Sequence, residues 1–358
     1  MMQPERHVVK TAVRLCVAVF ALTAACSSAP GDEADPPATS EVVASASTPA
    51  AVTTTTAAPS MTIPDEQAVA ALTGQPGTVT RPALVIKIDN HDRARPQFGI
   101  NQADVVYEEI VEGGITRLAA VFHSEGADPV GPIRSARTGD FELLTNLSMP
   151  LFANSGGNQR VLALLRDVAM IDVGVNAASE MYHRLDDRSA PHNLVTATES
   201  LWAAGGDRAG QPASLFEYRA DGDPLPATSR AAAGVTIDFG ENAVSYEWDD
   251  VLDGWARTQN DELHIDADNW VVAPANVVVQ FVSYGRSAAS NASPEAQLVG
   301  EGVVWVFTEG RVIVGTWRRD GSAERTSMAD EDGEVITLSP GRTWVALPRV
   351  GQATILAN

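Results

Sequence analysis

The apolar positions in the first part of the chain fall into runs of strand length. Residues 83–89 form an almost uniformly apolar run, which predicts a central strand buried on both faces. Residues 105–109 and 118–123 are further strand candidates, and Gly113-Gly114 predicts a turn between them. Polar residues follow the first run, at the strand end where α/β folds commonly build a site.

A helical spacing appears farther along. Phe141, Leu144 and Leu147 recur three apart, which predicts a helix capped by Ser135 or Thr138. Residues 151–154 then predict a strand, a Gly-rich turn follows, and the apolar positions from 161 to 168 predict a second helix. A third helix is predicted over residues 198–204. This alternation indicates an α/β domain over residues 62–215.

The pattern becomes all-β after a Gly-, Pro- and Ala-rich stretch, residues 216–233, which we interpret as a linker. Short apolar runs recur with turn signals between them, at residues 235–239, 244–248, 277–282, 303–307, 312–317, 335–338 and 343–347. The predicted fold class is therefore α/β (α+β) in the N-terminal domain with a mainly β-stranded C-terminal domain over residues 234–357.

The first 61 residues have a different character. Residues 1–26 combine a positive start with a short apolar run, which is typical of a secretory signal. The run ends Thr23-Ala24-Ala25-Cys26, similar to a lipobox that would lipidate Cys26, although leucine is usual where Thr23 stands. Simple cleavage near Ala25 and an uncleaved anchor are the alternatives. Residues 27–61, rich in Ala, Thr, Ser and Pro, predict a disordered tether.

These features predict an exported protein, anchored by lipid on the outer face of the cytoplasmic membrane. Composition narrows its partners: 25 basic residues against 46 acidic ones give a net charge of −21, which argues against nucleic-acid binding. Both cysteines, Cys16 and Cys26, lie in the signal segment, so the body has no disulfide, catalytic thiol or cysteine metal site. No cofactor is predicted.

The candidate ligand site is built around arginines near predicted strand ends, because guanidinium forks bind carboxylate and phosphate. Structural salt bridges to neighbouring acidic residues are the alternative, and the two are compatible. If residues 133–136 bend into a helix, Arg134 and Arg137 converge, as the helical spacing after Thr138 favours. The predicted ligand-binding residues are Asp89, Asn90, Arg95, Gln97, Glu108, Glu112, Arg117, Arg134, Arg137, Gly156, Gly157, Arg184, His192 and Asn193.

Other chemistries have weaker signals. His183 and His192 lie nine residues apart, wider than the usual zinc spacing, so no metal site is predicted. Ser135 and Ser155 lack the G-x-S-x-G elbow of serine hydrolases. Paired carboxylates suit glycosidase chemistry, but sequence gives no separation between them.

Short motifs stand in order along the chain at residues 89–91, 94–97, 103–108, 112–117, 131–137 and 190–193. They resemble motifs of the YerB-like lipoproteins, a bacterial family with distinct N- and C-terminal domains of unknown function. The resemblance covers roughly residues 70–350 and is looser at 276–279 and 315–317. It implies an extracytoplasmic lipoprotein. From the arginines we expect it to bind an anionic envelope ligand or a protein partner; the alternative is an enzyme acting on a phosphorylated or polymeric cell-wall substrate.

Overall fold

The computed structural model describes residues 68–220 and 222–358. The predicted signal segment with Cys26 and the predicted tether lie outside these residues. Within the described part of the chain, no helix is both long and apolar enough to cross a bilayer. The described part is rich in strands and has few helices.

The α-helices are α1 (Asp140–Leu144), α2 (Gln159–Leu165) and α3 (Thr198–Gly205). Five 3-10 turns span Asp92–Ala94, Ile100–Gln102, Glu112–Gly114, Ser179–Met181 and Gly206–Arg208. The strands are β1 (Leu84–Asp89), β2 (Val105–Ile110), β3 (Thr116–Phe122), β4 (Leu151–Ala153), β5 (Ile171–Asp172), β6 (Tyr182–Arg184), β7 (Leu194–Thr196), β8 (Glu217–Tyr218), β9 (Arg230–Ala231), β10 (Gly234–Asp238), β11 (Ala243–Asp249), β12 (Gly254–Gln259), β13 (Glu262–Leu263), β14 (Asn276–Gln280), β15 (Tyr284–Ser287), β16 (Ser290–Ala296), β17 (Gly300–Thr308), β18 (Arg311–Arg319), β19 (Ser327–Asp330), β20 (Thr337–Leu338), β21 (Thr343–Ala346) and β22 (Ala353–Leu356).

A mixed sheet of eleven strands organises the fold. Its order is β19-β18-β17-β14-β21-β2-β3-β1-β4-β5, with β9 pairing to β18. Strands from the predicted N-terminal domain fill one side and strands from the predicted C-terminal domain fill the other. They join where β2 pairs in parallel with β21, with Tyr107 opposite Val345. The predicted fold class is confirmed, and its two parts share one sheet.

Both faces of this sheet are covered. One core cluster includes Ile86 and Ile88 of β1 with Tyr246 and Trp255 of a second sheet, ordered β13-β12-β11-β10-β22. The other cluster includes Val85 of β1 with side chains of α1 and α2. All six residues of β1 are buried, as the apolar run predicted. Because side chains alternate along a strand, the two faces carry different chemistry.

The prediction for the first helix differs from the structure in two details, its end and its cap. The first helix ends at Leu144 and not beyond Leu147, and neither Ser135 nor Thr138 caps it. Thr138 instead contacts Ser287 through its hydroxyl, at 2.6 Å, and Asp140 accepts the backbone N–H of Arg137 at 2.7 Å. Thr and Asp side chains can hydrogen-bond to several neighbouring groups, so their presence predicts that a helix begins nearby without showing which residue caps it.

The stretch predicted as a linker, residues 216–233, contributes two short strands. β8 pairs in parallel with β20, and β9 pairs with β18 of the large sheet. The domain boundaries derived from sequence stay a prediction.

Candidate functional site

One face of the β1–β3 region carries an unusual concentration of charge. Asp89 lies directly opposite Arg117 in the antiparallel pairing of β1 with β3. Glu109 lies opposite Arg117 on the other side, in the pairing of β2 with β3. Lys87 precedes Asp89 by two residues and therefore points to the same face. Four charged side chains thus lie next to one another on buried strands: Lys87, Asp89, Glu109 and Arg117. A buried charge is costly unless it has an oppositely charged or hydrogen-bonding partner.

Lys87 has two partners. Its Nζ lies 2.5 Å from Glu109 Oε1 and 2.6 Å from Asp140 Oδ1, and the three side chains are almost completely buried. Burial alone lowers the pKa of Lys87, but the two carboxylates outweigh it and raise that pKa. Burial raises the pKa of Glu109, although Lys87 opposes this. The sequence analysis missed this triad; the lone lysine inside the apolar run 83–89 was its signal.

Asp89 links a histidine and an arginine. Its Oδ2 lies 2.7 Å from His192 Nδ1 and 3.1 Å from Arg134 Nε, and its side chain is 1% exposed. The ring of His91 stacks on His192 with centroids 4.6 Å apart. Because an ionised carboxylate only accepts hydrogen bonds, His192 Nδ1 carries the proton and its Nε2 keeps the lone pair when the ring is neutral.

Arg137 forms a forked ion pair with Glu112. Its Nε lies 3.0 Å from Oε1 and its Nη2 lies 3.1 Å from Oε2. The hydroxyl of Ser293 also donates to Glu112. Partial burial works to raise the pKa of Glu112, but the hydrogen bonds from Arg137 and Ser293 outweigh it and lower that pKa to about 2.

Arg117 stands between these pairs without a hydrogen bond on two of its nitrogens. The residue is 4% exposed, and its Nε and Nη1 are buried with no partner among residues 68–220 and 222–358. Burial, then Arg137 and Arg134, lower the pKa of Arg117 to about 10, against the influence of Asp89 and Glu112. Buried guanidinium donors are normally satisfied, so these two nitrogens are unusual in having no acceptor within the described part of the chain.

We call Arg117, Arg134 and Arg137 the arginine cluster. Its convergence was predicted through a helix spanning Arg134 and Arg137, and that detail is wrong, because α1 begins only at Asp140. The segment is instead held by neighbouring backbone. Arg134 N–H donates to Lys87 O at 2.8 Å, and Ser155 N–H donates to Arg134 O at 3.0 Å.

The Gly156-Gly157 turn lies against the same segment. Gly156 O accepts the N–H of Ala136 at 2.8 Å, and Gly156 N–H donates to Asn154 Oδ1 at 2.9 Å. Gly156 has a φ of 94°, which favours glycine. The turn therefore supports the backbone of the arginine cluster, and the Gly156 amide is already used within the turn.

Asn193 and Arg184 close the loop that carries His192. Asn193 Nδ2 donates to the carbonyls of Leu185 and Arg188, at 2.9 Å and 3.0 Å. Arg184 Nη1 donates to Asn193 Oδ1 at 2.7 Å, while the rest of Arg184 is exposed. These contacts fix His192 against Asp89.

Three predicted site residues lie on the opposite face of the sheet. Asn90, Gln97 and Glu108 are completely buried. Glu108 accepts from Arg257 Nη2 at 2.9 Å and 3.0 Å, and from Asn90 Nδ2 at 3.2 Å. Gln97 Nε2 donates to Asn90 Oδ1 at 3.2 Å. These side chains form a solvent-free network, so the single pocket expected from sequence is divided between two faces.

This buried network holds a neutral histidine. Arg257 Nη1 donates to His264 Nδ1 at 2.8 Å, so His264 Nε2 carries the proton and donates to Gln97 Oε1 at 2.8 Å. Burial, then Arg257 and Arg95, lower the pKa of His264 well below its usual value. Arg95 itself pairs with Asp92 at 2.7 Å, on this side and away from the arginine cluster.

Sequence reasoning missed Arg257 and His264. Their segment, residues 254–264, gave no apolar run, because the buried polar residues Arg257 and Gln259 alternate with the partly buried Ala256 and Thr258 in β12. No group of three or more His, Cys, Asp and Glu side chains suited to a metal occurs among the described residues.

Comparisons with known proteins identify the family and the fold of the chain. The family model described as "Protein of unknown function (DUF3048) N-terminal domain" matches residues 72–211, and that described as "Protein of unknown function (DUF3048) C-terminal domain" matches residues 235–345. The Bacillus subtilis (strain 168) protein named "Putative lipoprotein YerB" is 28% identical over 309 residues, which cover 82% of this chain and 91% of that protein.

A solved structure is similar as well. The crystal structure of YerB protein from Bacillus subtilis matches with a TM-score of 0.72 at 25% identity, and the match covers 81% of this chain and 99% of that one. The similarity therefore extends through both matched segments and the sheet that they share. The chain belongs to the YerB-like family of unknown function, DUF3048.

Proposed function

We propose that this protein binds an anionic ligand of the cell envelope, carrying a phosphate or carboxylate group, at the arginine cluster. The observation that carries the proposal is the buried guanidinium of Arg117, with two unpartnered nitrogens between two further arginines. An oxyanion would supply the missing acceptor and relieve the repulsion among three cations.

The surrounding ion pairs are compatible with this role. Arg134 and Arg137 are each oriented by one carboxylate, Asp89 or Glu112, and keep about a fifth of their side-chain surface exposed. An arginine oriented in this way uses only part of its five-donor fork. Arg137 and Arg134 lie near enough to Arg117 to lower its pKa, which supports one anion site shared by the three residues.

The proposed location is the outer face of the cytoplasmic membrane. The signal-like residues 1–26 and the lipobox-like end at Cys26 support export and lipid anchoring. The related Bacillus subtilis protein carries the name "Putative lipoprotein YerB", which supports the same location. In this arrangement the tether, residues 27–61, links the folded part to the anchor.

A thermal-shift titration tests the anion site. Inorganic phosphate, pyrophosphate, glycerol phosphate and citrate are added to the wild type and to Arg117→Met. A bound anion raises the melting temperature in proportion to the logarithm of its concentration above Kd. The wild type is expected to respond to at least one anion, and Arg117→Met is expected to lose the response.

The matched control is Arg325→Met, which removes a half-exposed arginine that pairs with Glu217. It is expected to keep the wild-type response. Without ligand, Arg117→Met is expected to melt at or above the wild-type temperature, because it removes a buried cation, two of whose nitrogens have no partner among the described residues. No anion response in the wild type, together with a large drop in melting temperature for Arg117→Met, would contradict the proposal.

An envelope enzyme is the second candidate, and the Asp89–His192 dyad favours it. With its proton on Nδ1, His192 presents Nε2 as a general base beside the anion site. For a phosphate ester, water would attack phosphorus, its proton would pass to His192 Nε2, and the ester oxygen would leave with that proton. Release of phosphate from glycerol phosphate, lost in His192→Gln and kept in His91→Gln, would support this candidate.

A further inference from the structure

A groove lies apart from the arginine cluster. Arg117, Arg134 and Arg137 are not among the residues that line it. It has two sections of about 560 Å³ and about 690 Å³. Both sections are lined by Gln75, Asp253, Ala275 and Pro340, so they lie next to each other and share part of one wall. A groove with two sections fits a chain of several units better than it fits a small compact molecule.

Tryptophans line both sections. Trp270 lines the first and is 70% exposed. Its turn is fixed, since Asp266 accepts the N–H groups of Asp268 and Trp270 at 3.0 Å and 2.9 Å. Trp248 lines the second section, donates its indole N–H to Asp250 and packs edge-on against Trp255. A large aromatic face held in water on a rigid turn is a ready stacking surface.

The polar lining offers both donors and acceptors. Arg342 is held by Asn101, whose carbonyl and side-chain oxygen both accept from it. Ser124 Oγ and Gln102 Oε1 in the first section, and Arg219 Nη1 in the second, lack a partner among the described residues. The first section carries three carboxylates, Asp104, Glu125 and Asp253, against one arginine.

From this combination we infer that the groove binds a neutral glycan chain. Sugar rings present an apolar C–H face, which stacks on tryptophan, and hydroxyl groups that hydrogen-bond to carboxylates, amides and guanidinium. The excess of carboxylates disfavours phosphate-rich polymers and nucleic acid. The lining residues of the first section all lie outside the strands β1–β22, so this section has no strand that an extended peptide could extend by β-augmentation.

This inference is independent of the anion site. It is tested by titrating the purified full chain with the hexamer of β-1,4-linked N-acetylglucosamine and with cellohexaose, following tryptophan fluorescence and calorimetry. The wild type is expected to bind at least one of them. Trp270→Ala is expected to weaken binding by about tenfold or more, since the stacking surface is lost, while Trp270→Phe recovers part of it.

The control Val350→Ala truncates an exposed apolar residue that does not line the groove, and it is expected to bind as the wild type does. Arg117→Met is also expected to bind glycan normally, which separates this site from the anion site. Absence of glycan binding, or equal binding by Trp270→Ala, overturns the inference. So does Trp270-dependent binding only to a proline-rich peptide or to phosphatidylglycerol vesicles.

Discussion

Arg257 Nη2 lies 2.9 Å and 3.0 Å from the two carboxylate oxygens of Glu108, and neither side chain has any exposed surface. The two residues are 149 positions apart and belong to the two segments that the family models match separately. Trp344 Nε1 also donates to Glu108, at 3.1 Å. A single buried carboxylate therefore ties strands of both segments together.

Breaking this pair is expected to destabilise the fold strongly. Arg257→Met leaves Glu108 charged and buried without its cation, which typically lowers the free energy of unfolding by about 3–5 kcal/mol. The double variant Arg257→Met with Glu108→Gln is expected to recover part of the loss, because no buried charge remains. Urea unfolding measures both. A single variant as stable as the wild type would show that the pair contributes nothing.

The Glu112–Arg137 pair predicts a pH dependence. The pKa of Glu112 is about 2, below its usual value of 4.5, so this group stabilises the fold above about pH 4.5 and loses that effect as the pH falls toward 2. Glu112→Gln should therefore melt below the wild type at pH 5, with a difference that narrows toward pH 2. The difference is small, on the order of 1 kcal/mol or less, because 37% of the Glu112 side chain is exposed and water screens the pair.

Ser293→Ala provides a graded comparison for the pH series. It removes one of the hydrogen bonds to Glu112 and keeps the ion pair, so its curve is expected between those of the wild type and Glu112→Gln. A constant difference in melting temperature from pH 5 to pH 2 would contradict the assignment.

Lipid anchoring is tested by Cys26→Ser in the bacterium. The variant is expected to leave the membrane fraction or to accumulate as an uncleaved precursor, because the serine hydroxyl cannot receive the lipid through a thioether. Labelling with a radioactive fatty acid follows the modification directly. Membrane-bound Cys26→Ser protein of mature size would show that the anchor lies elsewhere.

The shared sheet predicts that the two matched segments stay together after the chain between them is cut. A protease site inserted at residues 222–226 and then cleaved should yield two fragments that co-elute in size-exclusion chromatography. The parallel pairing of β2 with β21 and the Glu108–Arg257 pair hold them. Separation of the fragments without denaturant would mean that the segments are independent domains.

Much of the strand content could be predicted because it is a local property. Residues 303–307 and 312–317 are apolar runs that the structure shows as parts of β17 and β18, joined by the turn at Glu309-Gly310. The pairing of β2 with β21 could not be predicted, because it depends on contacts between residues far apart in the chain. β12 was missed since its buried side chains include Arg257 and Gln259, which carry no apolar signal.

The sequence allowed us to name the arginines of the candidate site, but not the carboxylate that each one contacts. Arg117, Arg134 and Arg137 were named from their positions beside predicted strand ends. Which carboxylate each would meet depends on side-chain alternation in paired strands, and one face received Asp89 while the other received Glu108. Adjacent residues of one strand, such as Glu108 and Glu109, point to opposite faces, so a shift of one residue moves a side chain from the face of the arginine cluster to the buried network around Arg257.

The place of β21 in the large sheet has a consequence for how the protein is made. The hydrogen bond from Trp344 to Glu108 can form only after Trp344 has been synthesised, 236 residues after Glu108. At about 5–20 residues per second, that delay is on the order of 10–50 s. Until then, the edge of β2 that will pair with β21 has no partner strand, and other chains can pair with it. A chain that stops short of residue 343 never closes that edge, so late stop codons are expected to yield insoluble or degraded product.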